Sequence, residues 1–474
     1  ALQVLDATQL DQRSSPLGQL TTVGSPSVPF RHAPGLSLNA PGPIPEQLGV
    51  FTDADSLNVL TRFDGDLEKL TYLDYQSAAL PYHLLERPDV LVLGAGGGAD
   101  VLRALSHGAA QVDAVELNPQ VVELVNHRFA DFTGAIYHLQ PVTVHNGEAR
   151  GFVSARNKRY DLIQLALLDS FSASSAGLYA LSENYLYTVE ALSQYLQSLQ
   201  PGGVLSITRW TRSPPRDSLK IFATAVRALE GAGSGEPGLQ LVMIRSWNTS
   251  TLLVKNEPFS SAAVARVKGF CEERWFDMVY YPGITGAEAN RYNRLQEPWY
   301  FDGANALLGP AGAAFMDDYK FNIHPATDDR PYFSHFLKWR TLPELLALRA
   351  SGGMPLLEWG YLVLAATLAL ALVMSFLLVL LPLWLRRSKD SRTQGLGWRI
   401  MVYFSTVGMA FMFIEIAFIQ KFILFLHHPL YAVSVVLCTF LVFAGLGSLA
   451  SARWSRPNVL PALIAGIGIL CLSY

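Results

Sequence analysis

Residues 90–103 read VLVLGAGGGADVLR: four apolar residues, a run of glycines, then the opening of a helix. The apolar run at 90–93 predicts a short buried strand, and residues 99–107 a helix. Between them, the loop at 94–98 carries too little side chain to keep a ligand away from its backbone. The glycine loop lets backbone pass close to a ligand at the mouth of a helix. Working outward, strands are predicted at 112–116, 142–145, 160–165 and 204–208, and helices at 119–129, 182–199 and 216–230. Strands alternating with helices of that length predict an α/β domain built on a doubly wound parallel sheet. Glu116 lies 22 residues after Gly94, at the end of the second strand, where a carboxylate accepts hydrogen bonds from ribose hydroxyls. Gly94-x-Gly96-x-x-Ala99 also satisfies the dinucleotide fingerprint, so an NAD reading stays open at this point.

The end of the domain bears on that choice. Two β-like stretches, 239–245 and 250–255, are separated by four residues, and a closing hairpin is the pattern of methyltransferase-type (Rossmann-like) domains rather than of NAD domains. Upstream, residues 16–45 hold seven prolines and read as an extended connector or surface loop. Residues 57–75 alternate apolar and polar around Asp64-Gly65, which predicts a small β-hairpin. The resulting division is a Pro-rich connector (1–50), an N-terminal β element (51–88), a nucleoside-binding domain (89–258), an extension of the soluble part (259–358) and a transmembrane part (359–474).

From about residue 72 to residue 210 the chain resembles spermidine synthase and its relatives, which have the class I methyltransferase fold and use decarboxylated S-adenosylmethionine. Tyr75-Gln76 resembles the family's Tyr-Gln pair, and residues 90–103 its glycine motif. AVELNP at 114–119 carries the ribose-binding acid as Glu116. Gly147-Glu148-Ala149-Arg150 is similar to the motif whose acid binds the adenine amino group, a role that passes to Glu148. YDLIQLALLDS (160–170) and LYALSENY (178–185) resemble the strand, active-site loop and following helix. The resemblance implies a nucleoside site of Gly94, Gly96, Gly98, Asp100, Glu116 and Glu148. It also implies catalysis by Asp169 and Tyr75, and amine binding by Gln76 and Asp169, with residues 170–177 as a lid. Two departures stand out. Gly97 occupies the place of the acid that contacts the ligand's tail, with Asp100 three residues on, and Ala166 replaces the first of two active-site aspartates.

The C-terminal part is of another kind. Residues 359–474 hold 8 Lys and Arg against 2 acids, so a basic apolar region of +6 follows an acidic region of −9. Apolar runs at 360–385, 400–426, 430–452 and 459–474 are long enough to span or enter a bilayer, and an α-helical transmembrane domain is expected. Glu415 and Lys421 are the charges inside the second run. A mid-span carboxylate faces either a helix partner or a functional polar interior. The segment FMFIEIAFIQKFILFLHHP (411–429) together with this domain resembles membrane-embedded bacterial relatives of spermidine synthase, which implies an inner-membrane location. Five basic residues between 386 and 399 and two more at Arg453 and Arg456 belong in the cytoplasm by the positive-inside rule, which puts the soluble domain outside. Adenosylmethionine is a cytosolic metabolite, and on that chemistry the cytoplasmic side is expected.

An acidic soluble part is a poor partner for nucleic acid, and none is expected. Cys271, Cys438 and Cys471 form no zinc or disulfide spacing, and His83, His107 and His324 show no metal-ligand spacing, so no metal is expected. Asp328-Asp329-Arg330 reads either as a turn with a local ion pair or as acids at the ligand mouth. Ala1 without a Met, and an apolar run at Tyr474, suggest a piece of a longer protein. Three functions follow: a membrane-anchored transferase that moves an aminopropyl or related group from (decarboxylated) S-adenosylmethionine to a small amine; a methyltransferase on S-adenosylmethionine; or a membrane sensor or transport-associated protein without catalysis. A homo-oligomer is compatible with each.

Overall fold

The computed structural model describes residues 4–53, 56–167, 183–347, 359–382, 396–426 and 429–451. The chain forms two compact units, Ala1–Leu381 and Pro382–Tyr474.

The first unit is built on an eight-stranded sheet with the order β12-β10-β11-β9-β8-β5-β6-β7. Its central strands β5 (Asp89–Leu93), β6 (Gln111–Glu116), β7 (Val142–Asn146), β8 (Tyr160–Leu165) and β9 (Leu199–Trp210) run parallel. β10 (Leu241–Arg245) and β11 (Thr249–Val254) form an antiparallel hairpin, and β11 pairs antiparallel with β9. This mixed sheet, ending in the hairpin the sequence predicts, is the methyltransferase-type α/β fold. β12 (Asp277–Tyr280) adds an outer edge on β10, so the sheet runs past residue 258 into the expected extension.

Neighbouring residues of each central strand point to opposite faces and both faces are covered. Val90, Val92, Leu162 and Val204 enter one core, and Leu91, Leu93, Ile163, Leu165 and Ile207 the other. Burial on both sides is why these strands read as continuous apolar runs instead of alternating ones. β5 lies between β6 and β8, so the chain leaves it in one direction for β6 and later returns to its other side. That reversal opens a crevice beyond the C-terminal ends of the strands, where ligands of open α/β sheets bind.

The N-terminal region differs from expectation. A four-stranded antiparallel sheet runs β1 (Thr8–Ser15), β2 (Gly18–Gly24), β3 (Gln47–Thr52) and β4 (Ser56–Thr61) in sequence order. Residues 1–50 therefore hold two strands and part of a third, and the prolines crowd the link between β2 and β3. β1 was hidden because it is a largely exposed edge strand of polar residues, TQLDQRSS, with no buried face to impose alternation. The hairpin expected over 57–75 is corrected as well: β4 pairs back onto β3, and Leu67–Tyr75 winds as 3-10 turns. Asp66 caps those turns by accepting from the Glu68 amide at 3.0 Å. Buried Leu70 and Leu73 stand three residues apart, the 3-10 repeat, which the eye takes for loose alternation.

In the second unit, Leu396–Leu426 and Pro429–Ser451 pack together as helices, with Phe411 and Phe418 both meeting the ring of Phe440. Within them Val402–Leu426 and Leu430–Ala450 are long and apolar enough to cross a membrane. Glu415 is four residues from Phe411 and three from Phe418, on the same helix face, and is buried, while Lys421 is exposed. The apolar helix Trp359–Ser375 ends the first unit and continues through a π turn, Phe376–Leu380. The run at 459–474 and the basic residues of 386–392 and 453–456 lie outside the described residues.

Candidate nucleoside site

A cavity of about 310 Å³ occupies the crevice. Its floor is the glycine loop. Gly94 and Ala95 both donate to the Val115 carbonyl, at 2.9 and 3.0 Å, which ties the loop to β6. Gly98 is the residue before helix Ala99–Ser106 and takes φ 91°, a left-handed conformation that glycine adopts without strain. A Cβ there would also meet Ile136 Cδ1 at 1.9 Å.

Glu116 ends β6 beside the loop. Its Oε2 accepts from the Gly96 amide and its Oε1 from the Asn118 amide, each at 2.8 Å. Burial raises its pKa, and these backbone bonds oppose the rise. An ionised carboxylate has about four lone-pair sites, and with the Leu117 amide also acting on it capacity remains for a hydroxyl donor from a ligand.

The opposite wall is a chain of buried polar groups. Asp100, in the first turn of the helix, accepts from Gln164 Nε2 at 2.7 Å and from the Arg103 guanidinium. Arg103 also donates to Gln76 Oε1, and Gln76 Nε2 donates to the Pro34 carbonyl at 3.1 Å. Tyr82 donates to Gln164 Oε1 at 2.8 Å. Ala166 and Leu167, at the exit of β8, close the site.

The structure thus gathers Gly94, Gly96, Asp100, Glu116 and Gln76 around one cavity. Three other expected residues are off the lining: Gly98, which turns the loop into the helix beside Ile136, and Glu148 and Tyr75. Glu148 caps helix Ala149–Ser154 by accepting from the Arg150 amide at 3.0 Å and the Gly151 amide at 2.6 Å, and it does not line the cavity. Tyr75 packs its ring against the Arg274 guanidinium, 5.1 Å from the ring centre, and is likewise off the lining. Asp169 and the segment 170–177 lie outside the described residues. Asp328 and Asp329 make the expected turn, closed by the Arg330 amide donating to the Thr327 carbonyl at 2.9 Å, but the ion pair is not local: Asp328 grips Arg150 with both oxygens at 2.6 Å and accepts from Thr188 Oγ1 at 2.8 Å.

Sequence reasoning missed Arg103, Gln164, Asn58 and His32, all on the lining. Arg103 stands at i+3 from Asp100, and Gln164 is a polar residue inside an apolar strand, so both left a signal. Asn58 and His32 arrive through tertiary contact and left none. Burial lowers the His32 pKa, which favours the neutral ring.

Residues 77–252, a span that contains β5 to β9 and the glycine loop, match the Spermine/spermidine synthase domain family. The chain carries a spermidine synthase-like domain. A polyamine aminopropyltransferase of Hyperthermus butylicus is 30% identical over 196 residues, covering 40% of this chain and 61% of its own length. A polyamine aminopropyltransferase of Korarchaeum cryptofilum is 26% identical over 28% of this chain and 40% of its own length. The matches thus span less than two thirds of these curated relatives. Among solved structures, spermidine synthase of Thermotoga maritima aligns over 65% of this chain and 87% of its own, at 12% identity and a TM-score of 0.36. The fold assignment rests on the sheet order above. Gly97 is covered by the N-terminal sheet: a Cβ there would lie 2.0 Å from the Val59 carbonyl oxygen of β4.

Proposed function

We propose that the protein is a membrane-anchored transferase that binds S-adenosylmethionine or its decarboxylated form and transfers an aminopropyl or related group to a small amine. The carrying observation is that the family match over 77–252 contains the glycine loop, Glu116 and Gln164, which line one cavity at the sheet's switch point. Glu116 would take a ribose hydroxyl on its remaining lone-pair capacity. Glu148 would serve the adenine only by sharing the oxygens that now cap its helix.

In aminopropyl transfer the lone pair of the acceptor nitrogen attacks the carbon beside the sulfonium. The C–S bond breaks, its electrons stay on sulfur, and methylthioadenosine leaves. The acceptor nitrogen must lose a proton, so a base is required. An alkyl ammonium starts near pKa 10.4, which makes that base worth about 10²–10⁴ in rate. Asp169 is the proposed group, with Gln76 orienting the amine; Tyr75, off the lining, would join it only by leaving the Arg274 guanidinium. The cavity-lining His32, favoured as a neutral ring, is a further acceptor for that proton. Helices 402–426 and 430–450 support the anchor, and the cytosolic cofactor supports a cytoplasmic soluble domain.

The test is product analysis. The detergent-purified full chain is incubated with S-adenosylmethionine or decarboxylated S-adenosylmethionine and a panel of amines, and products are read by mass spectrometry. Methylthioadenosine formed with decarboxylated cofactor and an amine is expected. Adenosylhomocysteine in its place would make the protein a methyltransferase, and neither product would leave it a binding protein without catalysis.

A further inference from the structure

Behind the cavity wall, three segments far apart in sequence converge on one point. Asp74 is the penultimate residue of the 3-10 turns Leu67–Tyr75, His83 ends the turns Ser77–His83, and His107 follows helix Ala99–Ser106. One ligand atom from each lies within 4.8 Å of the others. Both imidazoles aim at the same oxygen: Asp74 Oδ1 is 2.6 Å from His83 Nε2 and 2.8 Å from His107 Nε2.

At this point two acceptors face one another. His107 Nδ1 is 2.8 Å from the Arg103 carbonyl oxygen, which can only accept, so Nδ1 carries the hydrogen. In the neutral ring Nε2 is then a lone pair, and it faces a carboxylate oxygen that also has only lone pairs. Something positive must lie between them, either an additional proton on the ring or a cation. The surroundings are those of a cation site. Metal-bound histidines donate their other N–H to a carbonyl or carboxylate, and metal-bound carboxylates are themselves hydrogen-bonded. His107 does the first. Asp74 meets the second: its Oδ2 takes the Arg274 guanidinium at 2.5 Å, which leaves Oδ1 for the histidines. The rings are held independently, His107 stacked on Tyr82 at 4.9 Å and His83 against Phe270 at 4.8 Å.

We infer that Asp74, His83 and His107 form a binding site for a divalent transition metal of the zinc type, with a position left open to water. Two imidazole nitrogens and one carboxylate oxygen suit such an ion, and three protein ligands leave one tetrahedral position free. The side chains are 27%, 31% and 13% exposed, so solvent reaches that position. Bonds of about 2.0–2.1 Å in tetrahedral geometry separate ligand atoms by roughly 3.3 Å, so each Asp74–histidine contact would open by about half an ångström while the two imidazole nitrogens, now within 4.8 Å, take that same spacing. The ion would clamp the segment that carries Gln76 to the helix that carries Asp100 and Arg103, bracing the cavity wall without touching a ligand. The spacings of nine and 24 residues match no local metal motif, which is why the sequence alone argued against a metal.

The test uses the full chain in detergent, stripped with chelator and titrated with Zn²⁺ or Co²⁺. One equivalent of Zn²⁺ is expected to bind and raise the thermal midpoint, because an ion that binds only the folded state stabilises it. Groups that only hydrogen-bond a metal ligand are worth about 10–100-fold in metal affinity, so removing a ligand by His83→Ala or His107→Ala should weaken binding by at least about 100-fold. His324→Ala, an exposed histidine paired with Asp317, should change nothing. Should the variants fail to fold, Co²⁺ on the unmodified protein decides: a four- or five-coordinate visible spectrum of nitrogen and oxygen ligands is expected. No uptake by the unmodified protein, an aquo-like cobalt spectrum, or undiminished binding in the double histidine variant would each overturn the site and leave a protonated histidine pair on Asp74.

Discussion

Replacing Ala166 with aspartate is expected to raise putrescine-dependent formation of methylthioadenosine by about 10²–10⁴-fold, the usual worth of a positioned base. Ala166 is the first residue past β8; its amide donates to the Leu93 carbonyl at 3.1 Å and it lines the cavity beside Gln164. A carboxylate built there would stand at the strand exit, where the resemblance places the first active-site aspartate. Until it is supplied, the unmodified protein should turn putrescine over weakly or not at all, or prefer an acceptor with a less basic nitrogen. The measurement is initial rate by mass spectrometry, with methylthioadenosine affinity as the check that the variant is folded. A variant that binds methylthioadenosine normally yet gains nothing would contradict the prediction. So would robust putrescine turnover by the unmodified chain, undiminished in Asp169→Asn; in that case His32 becomes the first candidate base to replace.

The second large effect is structural. Placing an acid at 97, where the resemblance has one, by Gly97→Asp should abolish cofactor binding rather than improve it. A Cβ at 97 would lie 2.0 Å from the Val59 carbonyl oxygen and 3.1 Å from Asn58 Oδ1, and the first of these is backbone of a paired strand. An aspartate would also set a negative charge against two acceptors. Overpacking costs about 1–3 kcal/mol where side chains can move, and here the obstacle is a strand, so at least about 3 kcal/mol is expected. Gly97→Ala should behave almost as badly, since the clash is at Cβ. Thermal unfolding and methylthioadenosine titration check this. A Gly97→Asp variant with unchanged melting and a tighter grip on decarboxylated S-adenosylmethionine would contradict it.

That clash also marks where reading the sequence stops. The glycine loop, Glu116 and the closing hairpin were legible because each is local: a buried strand must be an apolar run, a close approach of backbone needs glycine, and the acid follows at a fixed strand length. The docking of β4 over Gly97 was not legible, because β1 to β4 carry weak alternation and their partner is 40 residues away. Asp100 was found and its partners were missed for the same reason. Arg103 and Gln164 matter only once helix Ala99–Ser106 lies against β8, where an arginine on a helix and a glutamine in a strand become one network. Glu148 shows the converse, a motif match whose carboxylate is occupied by capping its own helix.

The central claim is that the crevice at the glycine loop binds a nucleoside through Glu116. Calorimetric titration of methylthioadenosine into the full chain and into Glu116→Ala tests it most directly. Hydrogen bonds to a charged acceptor are worth about 1.5–3 kcal/mol each, so the variant should bind about tenfold more weakly or worse. An affinity for methylthioadenosine that is the same in both proteins would contradict the assignment.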